Sequence, residues 1–67
     1  MKELDIILEL IRDSNWHSIG EIKRETSLPS ETLDKVLSFL HEQAFIDKEN
    51  GELRITPTGQ RLLELPD

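Results

Sequence analysis

The sequence contains no cysteine, which excludes disulfides and thiolate zinc sites. Small domains often depend on such staples. Tight helix packing or self-association must do that job instead. No apolar run approaches the ~20 residues that span a bilayer. The start, Met1-Lys2-Glu3-Leu4-Asp5, is acidic and lacks the basic stretch and small-residue cleavage site of a signal peptide. These absences predict a soluble, cytoplasmic protein with no membrane partner. Bases are also scarce, with eight against fourteen acids and a net charge of −6. A module that neutralises DNA phosphates normally carries a basic stripe. A local patch can suffice, but it has to be found in the chain.

Catalytic and ligand-binding motifs are missing as well. His17 and His41 are the only histidines. Neither belongs to a His-Glu-x-x-His or Cys-His spacing, so no metal site is expected. Gly20, Gly51 and Gly59 are isolated and form no phosphate-cradling loop. Ser14, Ser18, Ser27, Ser30 and Ser38 lack a neighbouring base and acid. The acids read as solvated helix surface rather than a paired dyad. With 67 residues, there is room for one domain burying roughly 60% of its unfolded surface. That leaves little stability for a deep pocket. The expectation is a binding module, neither an enzyme nor the holder of a cofactor.

What is present is a series of short periodic segments cut by turn signals. Leu4, Ile7, Leu8 and Ile11 recur at helical spacing, which predicts a first helix from Glu3 to about Arg12. Ile6 and Leu10 form a second apolar pair that needs cover from elsewhere. Asp13-Ser14-Asn15 ends this helix, and Trp16-His17 reads as a short extended piece. Ser18 with Glu21 is a capping-box pattern, opening a helix from Ile19 to about Glu25. Pro29-Ser30 opens a third helix, to about Gln43. Leu33, Val36, Leu37, Leu40 and Ala44 lie along one face of it.

Phe45 to Ile55 reads as a hairpin centred on Asn50-Gly51. That register sets Ile46 opposite Ile55 as the inward pair, Asp47 opposite Arg54, and Glu49 opposite Glu52. Thr56-Pro57 caps a last helix from Pro57 to about Leu65, with Leu62, Leu63 and Leu65 apolar. It is expected to lie on the first helix over Ile6 and Leu10, with Gly59 allowing close approach. Trp16 is expected to close one end of the core beside the hairpin.

The order helix, short strand, helix, helix, hairpin, helix is the winged-helix order. The stretch Trp16-His17-Ser18-Ile19-Gly20-Glu21-Ile22 resembles the strand-to-helix passage of winged helix-turn-helix regulators. Leu28-Pro29-Ser30-Glu31-Thr32-Leu33-Asp34-Lys35-Val36-Leu37-Ser38-Phe39-Leu40 resembles their recognition helix. Ala44-Phe45-Ile46 resembles the exit into the wing. Ile55-Thr56-Pro57-Thr58-Gly59-Gln60-Arg61-Leu62-Leu63 is similar to the Leu-Thr-Pro-x-Gly-x-x-Leu-Leu close of many small prokaryotic members. The resemblance covers nearly the whole chain, and residues 1–67 are expected to form one domain. It implies an α+β, mainly α, winged helix: a three-helix core, a two-stranded hairpin wing and a short C-terminal helix.

In such folds the third helix enters the major groove and the wing touches the backbone. The outward face of the third helix comprises Ser30, Glu31, Thr32, Asp34, Lys35, Ser38, Phe39 and Glu42. It holds one lysine and three acids, where base readout wants Arg, Lys, Asn or Gln. Phe39 suits a protein contact, or else tucks into the core edge. The wing comprises Lys48, Glu49, Asn50, Gly51, Glu52 and Arg54, with acids on both sides of its tip. Lys23 and Arg24 are candidates for backbone contacts, but Glu21 and Glu25 share their helix. The preferred reading is a module that contacts protein. Its alternative is a DNA-binding transcription regulator, dimeric through the first and last helices.

Overall fold

A computed structural model describes residues 2–65. The elements are helix α1 (Lys2–Leu10), strand β1 (His17–Ser18), helices α2 (Ile19–Thr26) and α3 (Ser30–Glu42), strands β2 (Ile46–Glu49) and β3 (Glu52–Ile55), and helix α4 (Pro57–Glu64). Among the described residues they enclose one core of eleven buried apolar side chains. These are Ile7, Leu8 and Ile11 from the first segment, Ile22 from α2, Leu33, Val36, Leu37 and Leu40 from α3, and Ile46, Leu53 and Ile55 from the hairpin. No side-chain N or O atom is buried without a partner among the described residues.

The caps follow the side-chain chemistry. Ser18 Oγ accepts from the Glu21 N–H at 3.0 Å, satisfying one orphan donor of α2. Thr56 Oγ1 does the same for the Gly59 N–H at 3.1 Å and donates to the Ala44 carbonyl at 2.6 Å. The hairpin register is as the Asn50-Gly51 signal predicts: Ile46 pairs with Ile55, Asp47 with Arg54 and Glu49 with Glu52. Asn50 and Gly51 both have positive φ, as a two-residue turn between right-twisted strands requires.

The sheet has three strands, in the order β1-β3-β2. His17 pairs with Leu53 and Ser18 with Glu52, so the two-stranded wing gains a strand from the segment before α2. Trp16 stays outside that strand. Leu53 is the core residue that pattern reading passed over. It lies opposite both Lys48 and His17, two polar neighbours that disguise its inward position.

Several expectations are corrected. α1 ends at Leu10, and Ile11 is buried from the turn that follows. Ala44 is not on the α3 face. It sits beyond the helix with φ +60°, where its N–H bonds the His41 carbonyl at 3.0 Å and the Phe45 N–H bonds Leu40 at 2.9 Å. That bonding is a Schellman termination. Leu65 follows α4 and is 62% exposed.

α4 does pack on α1, and Leu10 is half-buried against the core, but Ile6 remains 41% exposed. Gly59 serves a different contact from the one expected. A Cβ there would collide with the Phe45 carbonyl oxygen and come within 2.7 Å of Ile55 Cγ1, so its small size fits α4 against the hairpin base. Gln60 ties α4 to the turn after α1. Its Nε2 donates to the Arg12 carbonyl at 2.8 Å and to Ser14 Oγ at 3.1 Å.

Candidate interaction surface

α3 is positioned by its own apolar stripe. Leu33, Val36, Leu37 and Leu40 are buried, which turns the other side of the helix outward. Ser30, Glu31, Asp34, Lys35, Ser38, Phe39 and Glu42 are exposed as expected, while Thr32 is half-buried. Lys35 Nζ lies 3.4 Å from Glu31 Oε1, with both side chains in solvent. Such a pair adds little stability. It does mean that the one lysine of this face already has an anionic neighbour. Phe39 is 44% exposed and does not tuck into the core. With Leu4, Val36 and Lys35 it lines a groove of about 220 Å³ between α1 and α3.

The wing is short and tied down. Gly51 at its tip accepts the Ile19 N–H at 3.0 Å, and β1 pairs along β3 as far as Glu52. Glu49 and Glu52 face each other across the strands, an arrangement of like charges that destabilises. Arg54 is engaged twice: its Nε donates to Asp47 at 3.2 Å, and its guanidinium lies 4.6 Å from the Trp16 ring centroid. Trp16 is therefore beside the hairpin as expected. It is nonetheless 36% exposed, stacked under a cation rather than closing the core. The outer face of the wing looks onto a cleft of about 540 Å³ lined by Arg54, Asp47, Thr56, Gln60, Arg61 and Glu64 among others.

Lys23 and Arg24 occupy the last turn of α2, where cations suit the helix dipole. They and Lys48 are exposed and form no ion pair among the described residues.

One cluster escaped the sequence reading. His17 Nε2 is 2.8 Å from Asp13 Oδ1 and His17 Nδ1 is 2.8 Å from Glu21 Oε2. The imidazole side chain is only 13% exposed. The signal was the spacing Asp13, His17, Glu21, four residues apart twice, but α1 has ended and α2 not begun between the first two. Hydrogen bonds to Asp13 first, then Glu21, raise the His17 pKa, against an opposing burial effect. Hydrogen bonds from His17 and then from the Asn15 backbone N–H lower that of Asp13. Glu21 thus turns its carboxylate to His17 rather than back to the Ser18 N–H, so the capping box is only half made. No group of three or more His, Cys, Asp or Glu suited to a metal ion occurs among the described residues.

Helix, turn and outward helix, followed by a short antiparallel wing, define a helix-turn-helix module of the winged type, a fold of DNA-binding and regulatory modules. A family model for the winged helix-turn-helix matches residues 2–66, and the chain belongs to that family. Comparison with curated proteins gave no match, and neither did comparison with solved structures. No helix among the described residues is long and apolar enough to cross a membrane.

Proposed function

We propose that the chain works as one domain: a non-catalytic, cytoplasmic winged-helix module whose α3 and wing contact another protein. The observation that carries this reading is the pairing on α3. Its one outward lysine is shared with Glu31, and beside it a phenylalanine stands 44% exposed. Duplex DNA would meet Glu31, Asp34 and Glu42 on α3 and the facing Glu49 and Glu52 on the wing. Repulsion from phosphates opposes such docking.

Direct DNA reading by a dimer is the second reading. Family membership favours it, as do the exposed Lys23, Arg24 and Lys48. Ile6 on α1 and Leu65 after α4 are exposed apolar residues that a second copy would cover.

The deciding experiment is an NMR titration of the labelled chain with duplex DNA at low salt. The protein-contact reading expects no shift changes at Ser30, Thr32, Lys35 or Ser38 up to millimolar duplex. Saturating shifts there, with a steep salt dependence, overturn it. Mass in solution tests the dimer.

A further inference from the structure

We propose that the groove between α1 and α3 docks a basic amphipathic segment of a partner protein, which seats an aliphatic or aromatic side chain against Leu4, Val36 and Phe39. This rests on the protein-contact reading above and names the partner's chemistry. The floor of the groove is apolar: Leu4, Val36 and Phe39 line it with Lys35, whose ammonium is paired with Glu31. Along both helices the other charged residues near its lining are mainly acidic, Lys2 at the start of α1 being the exception. α1 contributes Glu3 and Asp5 on either side of Leu4 in sequence. α3 contributes Glu31, and Glu42 one helical turn beyond Phe39.

Charge decides the occupant. A second copy brings another net −6 onto an acidic rim, and nucleic acid brings phosphates. A segment with lysines or arginines beside its apolar anchor is attracted on both counts. An amphipathic helix laid in a groove is a recurring mode of recognition, with a few spaced anchors carrying the affinity. Acids around the rim then steer approach and set salt dependence more than affinity.

The test uses the full chain, labelled with ¹⁵N, and three synthetic peptides. The first is an amphipathic helix of leucine and lysine. The second replaces each lysine by glutamate, and the third keeps the lysines but replaces each leucine by serine. The expected result is saturating shifts at Leu4, Val36 and Phe39 with the first peptide alone, weakening as salt rises. Phe39→Ala should weaken binding about tenfold, as loss of an aromatic anchor does. Glu42→Lys should weaken it roughly threefold and flatten the salt dependence. Circular dichroism checks that each variant is folded, and either variant alone suffices.

Equal binding of the glutamate or serine peptide overturns the proposal. So do shifts that map outside the groove, or an absence of shifts. Concentration-dependent shifts at the groove without peptide also overturn it, because they assign the groove to a second copy. The DNA titration separates the two ideas. Shifts on α3 with DNA defeat the protein-contact reading itself, whereas silence with both DNA and peptide defeats only the groove.

Discussion

Gly59 lies against the carbonyl of Phe45 so closely that no other residue fits between them. The obstacle to a Cβ is backbone oxygen, with Ile55 Cγ1 also inside contact distance at 2.7 Å. Backbone cannot swing aside as a side chain does. Gly59→Ala would gain roughly 0.5–1 kcal/mol in helix propensity. It would lose about 1–3 kcal/mol to overpacking. The expected outcome is net destabilisation, seen as a lower urea midpoint with an unchanged slope.

Ala44 presents the opposite case. It holds the left-handed position of the Schellman termination, with φ +60°, where glycine has no Cβ penalty. Ala44→Gly should stabilise the fold by about 0.5–1 kcal/mol, since relief of left-handed strain exceeds the added freedom of the unfolded chain. Thermal unfolding should shift upward. A fall in midpoint would show that the strain is absent.

Phe39 and Leu40 are neighbours with opposite roles. Phe39 is exposed and Leu40 is fully buried. Phe39→Ala should change stability by less than about 1 kcal/mol, whereas Leu40→Ala should cost roughly 2–5 kcal/mol. Chemical denaturation of both variants checks this. Equal losses would mean that Phe39 is part of the core.

The cluster around His17 predicts a pH optimum for stability. A neutral imidazole carries one N–H, yet both ring nitrogens face carboxylate oxygens at 2.8 Å. Only imidazolium donates to both. The raised His17 pKa means that its stabilisation is fully present below the ordinary imidazole value and is lost as pH rises through the raised one. Asp13, whose pKa is lowered, contributes above the ordinary carboxylate value, and its share is lost on acidification. Leu53 faces His17 from β3 and is uncharged, so these two carboxylates set the sign. Urea midpoints should fall from about pH 6 to about pH 9. In His17→Gln this fall should vanish. A wild-type profile flat across that range would contradict the geometry.

Much of the fold was legible because local signals agreed with one another. Asn50-Gly51 fixed the hairpin register residue by residue, and Ser18 and Thr56 announced their helices. The misses share a physical cause. Ala44 continued an apolar spacing after the helix had ended, and backbone termination leaves little mark in such a pattern. Leu53 shares the inward face of Ile55 by strand alternation, but its polar cross-strand partner Lys48 disguised it. On the candidate surface, the acidic face of α3 could be read directly. The groove could not, because Leu4 and Phe39 meet only when α1 and α3 pack. The triad at His17 crosses a helix end, where regular spacing is no guide to neighbourhood.

Gln60 reaches 48 residues back along the chain to fasten the turn after α1. In a molecule without disulfides, this amide is a reversible clasp between distant parts of the sequence. Undocking of α4 therefore releases more than one helix. It would also free the loop that holds Asp13 against His17. Amide exchange along α4 and along residues 12–15 is therefore expected to follow a single opening event.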